Sequence, residues 1–173
     1  MPRTPVSRLC SLLLCAFLLG LPTASVHAQQ AAPAADLPSA DDALAAWHAF
    51  AADPPARLDR TGPFLAYIRN GGMVHIVLNE GLLGFMYDET LDEERKAVLY
   101  AAFLGANMAA QIERGESGSD NLAGMRGTLA AYRALQANDA ALEVAALEPF
   151  AAAAAAGTLP DAVLAAVTGT PAE

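Results

Sequence analysis

The sequence predicts an all-α fold, a single-domain helical bundle of about five to seven helices, with one possible small β-hairpin at 73–87. Three observations carry that expectation. Apolar residues recur at helical spacing through most of the chain after residue 40. Ser, Thr and Asp followed three residues later by an acid mark several helix starts, and Pro and Gly mark the ends. Only one stretch, around Val74, Ile76 and Val77, concentrates β-branched residues.

The first 28 residues read as a secretory signal peptide. Arg3 and Arg8 give a positive start, Leu9 to Leu21 an apolar run, and Val26-His27-Ala28 the small residues a signal peptidase reads, so cleavage is expected after Ala28. The apolar run is too short for a membrane-spanning helix, which needs about 20 residues. Both cysteines, Cys10 and Cys15, lie inside this segment. The mature chain is therefore expected to lack thiols, and with them disulfides, thiolate metal sites and cysteine nucleophiles. The implied address is the periplasm or the exterior, with no stable membrane insertion after cleavage.

Residues 29–38, QQAAPAADLP, have no periodicity and read as a flexible leader before a domain at 39–168. Ser39-Ala40-Asp41-Asp42 has the form of a capping box opening a helix from about 40 to 52, with Leu44, Trp47 and Ala51 at helical spacing and Phe50 beside them. Asp53-Pro54-Pro55 ends it. After a surface connection, Pro63 suits the first turn of a short helix, Phe64 to Arg69, closed by Asn70-Gly71-Gly72.

The stretch MVHIVLNEGLLGFMYD, 73–88, reads two ways. As a hairpin, Val74–Leu78 and Leu82–Tyr87 are strands joined by Asn79-Glu80-Gly81, with the glycine supplying a positive φ. As a helix, the preferred reading, His75 and Asn79 stack at i, i+4 with Glu80 beside them. A lone two-stranded ribbon is marginal in water and no third strand is evident.

Thr90-Leu91-Asp92-Glu93 reads as a second capping box, opening a central helix from 91 to 114 that stops at Gly115. Leu91, Val98, Leu99, Ala102, Ala106, Ala109 and Ile112 form its stripe, and its alanines favour close approach of a neighbour. Asp120 or Ser119 caps a helix to about 137, with Leu122, Met125, Leu129, Tyr132 and Leu135 on one face. A helix from about 140 to 148 is expected next, restarted or kinked at Pro149 into the alanine run that ends at Gly157. Thr158-Leu159-Pro160-Asp161 opens the last helix, to about Val167, and 169–173 form a frayed tail.

The chain carries 10 basic and 19 acidic residues, a net charge of −9. Loss of Arg3 and Arg8 with the signal peptide leaves 8 basic residues against 19. That balance argues against nucleic acid, whose phosphates require Lys and Arg, and is compatible with a basic protein partner.

Catalytic signals are weak. Gly115-Glu116-Ser117-Gly118-Ser119 falls one glycine short of a serine-hydrolase elbow and joins two helices instead of following a strand. Gly124 and Gly127 match no phosphate loop. His48 and His75 belong to no zinc-spaced pair, so a metalloenzyme or hydrolase would have to assemble His48, His75 and Glu80 from separate elements. The acids Asp88, Glu89, Asp92, Glu93 and Glu94 lack the alternation of a calcium loop and suit a helix start.

The sequence thus points to a non-enzymatic, exported protein-interaction module of the inhibitor, immunity-factor or assembly-adaptor type, without cofactor or metal. Its candidate contact surface is His75, Asn79, Glu80, Asp88 and Glu89, its expected partner another envelope protein, and a homodimer is an open alternative. The rival reading is a carrier for an apolar small molecule, with 73–87, Phe64, Tyr67, Phe103 and Met108 lining a cavity.

Overall fold

Helix α3, Glu93–Arg114, is the axis around which the other elements pack. Val98 to Leu104 and Met108 are buried around nearly its whole circumference apart from Tyr100, as expected for a helix surrounded by neighbours. The structure is a computed structural model describing residues 37–70 and 73–169, all within the compact unit Asp36–Glu173. The expected signal peptide, both cysteines and most of the leader lie outside the described residues, as does the tail beyond Gly169. Among the described residues there are six α-helices and no strand, so the chain is an all-helical single-domain bundle.

Helix α1, Ala40–Ala51, starts at the expected capping box: Ser39 Oγ accepts from Asp42 N–H at 3.1 Å, and Asp42 Oδ2 accepts from Ser39 N–H at 3.1 Å. Two short 3₁₀ turns, Pro54–Ala56 and Leu58–Arg60, lead into α2, Thr61–Arg69. The second helix therefore begins three residues before Phe64, because Thr61 Oγ1 donates to Leu58 C=O and carries one turn into the next. Phe50 of α1 and Phe64 of α2 are fully buried, and Trp47 stands edge-on to Phe64 with ring centroids 6.0 Å apart. This aromatic cluster seats α1 and α2 on α3. Gly105 permits it, since a Cβ there would overlap the Trp47 ring.

Helix α4, Asn121–Asn138, returns antiparallel to α3 through the loop 115–120 and makes the bundle's most extensive helix contact. Arg95 at the start of α3 consequently meets Asp139 just after α4, at 2.9 Å. The expected close approach comes from a glycine as much as from the alanines: a Cβ on Gly127 would lie 2.7 Å from the Ala102 carbonyl oxygen. Helices α5, Glu148–Ala156, and α6, Leu159–Thr168, form a hairpin against α4. Gly157, at φ +78°, makes the left-handed turn between them.

Three local expectations are corrected. The capping residue of α3 is Asp92, which accepts from Arg95 N–H at 2.7 Å; Thr90 instead donates from its backbone and hydroxyl to Asp88, so the helix begins at 93 and not 91. The expected helix from about 140 to 148 does not form: 139–147 is not helical, and Glu148 opens α5. The backbone of 139–147 is captured by side chains of α4, with Tyr132 Oη accepting from Val144 N–H and Gln136 Nε2 donating to Leu142 C=O. Segment 73–87 is neither helix nor hairpin, for reasons that lie in the candidate site.

Candidate functional site

Residues 74–79 run without helix, turn or paired strand, and the chain then turns at Asn79–Leu82 and closes a 3₁₀ turn at Gly84–Tyr87. A helix here would have needed its own i→i−4 amide bonds. The strap is held instead by the Gln111 side-chain amide of α3 and by the Ser119 hydroxyl in the loop after it, which Asn107 of α3 links together. Gln111 Oε1 accepts from His75 N–H at 2.9 Å and its Nε2 donates to His75 C=O at 3.0 Å, so one carboxamide occupies both backbone groups of a residue 36 positions away. The same Nε2 donates to Asn107 Oδ1 at 2.7 Å, and Oε1 also accepts from Gly118 N–H. Asn107 Oδ1 accepts from Asp120 N–H and its Nδ2 donates to Ser119 Oγ, which in turn accepts from Val77 N–H at 3.1 Å.

Asn107 and Gln111 are fully buried, and no buried side-chain polar atom among the described residues lacks a partner. Buried amides in this state fix one arrangement, because any displacement would strand several polar groups together. They are the residues that sequence reasoning missed. The available signal was a pair of amides four apart, on one face of the helix within its apolar stretch 97–112.

The candidate residues are distributed along and beyond the strap. His75 points to solvent while its backbone is pinned, so the expected i, i+4 stripe with Asn79 does not form. Asn79 is structural: its Oδ1 accepts from Gly81 N–H at 2.8 Å and its Nδ2 donates to Val167 C=O at the end of α6. Gly81 does not carry the positive φ expected of a hairpin loop; it is glycine because a Cβ would lie 2.6 Å from the Ala166 carbonyl oxygen. Glu80 is exposed in this turn. Leu82, Leu83 and Phe85 are buried anchors, and they separate Glu80 along the chain from Asp88 and Glu89. The Asp88 carboxyl sits below its ordinary pKa because the Thr90 hydroxyl and amide donate to it.

The outward side chains of the strap are apolar: Met73, Val77 and Leu78 are 67%, 50% and 51% exposed. Val74 and Ile76 pack inward against the core, alternating with the exposed Met73, His75 and Val77. Between residues 73 and 94 the chain carries Glu80, Asp88, Glu89, Asp92, Glu93 and Glu94, and no Lys or Arg. Arg114, at the end of α3, is paired with both Glu116 and Asp120.

Two concavities stand out among the described residues. A groove of about 290 Å³ lies between the start of α3 and the end of α4, but its one cation, Arg95, is engaged by Asp92 and Asp139. An apolar cleft of about 120 Å³ is lined by Ala40, Tyr67, Met73, Val74, Gln111 and Ile112. Phe64, Phe103 and Met108, which the carrier reading placed around a cavity, are fully buried in the solid core. His48 is an exposed partner of Glu113 at 3.8 Å. Among the described residues no three His, Cys, Asp or Glu side chains are placed to share a metal ion, and no described helix is long and apolar enough to cross a membrane.

Compared with protein-family models, curated proteins and solved structures, the chain matches none.

Proposed function

We propose that the chain is an exported protein-interaction module that works in the periplasm, with the strap 73–80 as its contact surface. The observation that supports this reading is a rigidly pinned loop with exposed apolar side chains. Gln111 and Ser119 hold the strap backbone, with Asn107 bonded to both of them, while Met73, Val77 and Leu78 face outward. Apolar groups presented on a pre-ordered backbone suit binding, since little conformational entropy remains to be lost on association. The acids that follow the strap favour a cationic partner, whose capture would weaken as salt rises.

A carrier role has less support. The apolar cleft of about 120 Å³ is well below the roughly 300–1,000 Å³ of small-molecule sites.

The purified chain, used as bait in an envelope fraction at low salt, should retain a specific protein that high salt releases. The double variant Val77→Ser, Leu78→Ser should lose it. Capture of nothing, or capture unaffected by the double variant, would refute the reading.

A further inference from the structure

The strap is pinned along one side. His75 and Val77, two residues apart, direct their N–H groups inward to Gln111 and Ser119. In an extended chain the N–H and C=O groups of alternate residues point to opposite sides. Val74, Ile76 and Leu78 therefore direct theirs away from α3, and among the described residues none of these groups has a hydrogen-bond partner. Gln111 in effect imitates one rung of a β-ladder on the inner side of the strap. The outer side is an open strand edge, in a chain with no strand among its described residues.

We infer that this edge, Val74–Leu78, binds an extended, cationic and apolar segment of another protein by β-strand addition. The inference rests on the interaction reading above and names the mode and chemistry of the partner. An added strand would pair with the outward groups of Val74, Ile76 and Leu78, and main-chain pairing of this kind supplies affinity while alternate side chains supply selectivity. Val77 and Leu78 offer apolar contacts beside the edge. The charge selects the occupant. Six carboxylates and no Lys or Arg lie between 73 and 94. Asp92 and Glu93 pair with Arg95 and Lys96, and Glu80, Asp88, Glu89 and Glu94 attract a basic strand, whereas a second copy of this acidic segment is repelled.

Leu78→Pro isolates the outward edge. It removes an amide that has no partner among the described residues and leaves the inward amides of His75 and Val77 in place. Leu78→Thr is the matched control, because it shortens the apolar side chain and keeps the amide. The probe is an acetylated eight-residue peptide alternating lysine and valine, followed by amide chemical shifts and hydrogen exchange on the purified chain. Binding should protect the amides of Val74, Ile76 and Leu78, and Leu78→Thr should still bind. Affinity should fall on the order of tenfold or more for Leu78→Pro, and likewise for a peptide N-methylated on every second amide. A peptide with glutamate in place of lysine should not bind.

Absence of binding, or equal affinity for Leu78→Pro and for the N-methylated peptide, overturns strand addition. If the envelope partner is still captured by Leu78→Pro, strand addition falls while the interaction reading stands. If no partner is captured at all, the interaction reading falls whatever the peptide does. A wild-type dimer that Leu78→Pro dissociates would identify a second copy as the occupant and refute the cationic partner.

Discussion

Gln111 occupies both backbone groups of His75, accepting from its N–H at 2.9 Å and donating to its C=O at 3.0 Å, while a third bond ties it to Asn107. Replacing it by leucine conserves bulk and strands three backbone groups at once, His75 N–H, His75 C=O and Gly118 N–H. Gln111→Leu should destabilise the fold by about 2–3 kcal/mol, the penalty range for buried polar groups left unpaired. Urea unfolding measures it, and amide exchange at His75 should accelerate beyond the global change. An exchange rate at His75 unchanged relative to the core would show that the strap does not depend on Gln111.

Tyr132 does for 139–147 what Gln111 does for the strap. Its hydroxyl accepts from Val144 N–H at 3.1 Å and donates to Glu148 at 2.6 Å. Burial, reinforced by the Glu148 carboxylate that accepts its proton, pushes the phenol above its ordinary value. A pKa higher in the folded state means a contribution that is complete below the unfolded tyrosine value, about 10, and is lost as pH rises through the folded one. Tyr132→Phe should cost about 1–2 kcal/mol at neutral pH and should flatten the alkaline decline in stability. An alkaline limb as steep as wild type would contradict this.

Gly127 faces the α3 backbone at the centre of the α3–α4 contact. In an exposed helix, Gly→Ala stabilises by roughly 1 kcal/mol. Here the added Cβ would lie 2.7 Å from the Ala102 carbonyl oxygen and 2.5 Å from the Ala106 Cβ. Overpacking reverses the sign, so Gly127→Ala should destabilise by about 1–3 kcal/mol. Thermal melting decides the matter, and a raised midpoint would show that the two helices separate freely.

Asp120 caps α4 by accepting from Ala123 N–H at 2.8 Å and pairs with Arg114. Burial raises its pKa, but the Ala123 amide and the Arg114 guanidinium together outweigh it and hold the carboxyl below its ordinary value. A depressed folded pKa gives stability that is present above the unfolded aspartate value and is lost as pH falls through the folded one. Asp120→Asn retains a capping oxygen and loses the ion pair, a cost of about 0.5–1 kcal/mol at neutral pH. The wild-type advantage should vanish in acid titrations of unfolding. A difference that persists to low pH would assign the effect to the cap instead.

The sequence by itself determined the elements whose signals are local. Ser39 and Asp42 cap α1 because both partners lie within one turn of each other, and Asp120 caps α4 for the same reason. The stripe Met125, Leu129, Tyr132 and Leu135 is buried as its spacing requires. Proline inside the first turns of α5 and α6, and glycine after them, set those helices without distant help. Even here, local pattern misplaced the start of α2 by three residues, because Thr61 joins it to the preceding turn, and the start of α3 by two, because Thr90 and Asp92 offer rival caps and Thr90 is drawn off by Asp88. The candidate surface was legible only as residues. His75, Asn79 and Glu80 do lie on one segment, but their roles depend on which backbone groups are already occupied. Tertiary structure decided that. Val74 to Leu78 can satisfy its amides in a helix, in a hairpin or on foreign side chains, and the choice falls to Gln111 and Ser119, 36 and 42 residues from the groups they bind. The segment 139–147 is settled in the same way by Tyr132 and Gln136. The buried Gln111 amide and Tyr132 hydroxyl must find partners; with Ser119 and Gln136 they take them from neighbouring backbone, and the backbone so taken cannot form a helix of its own.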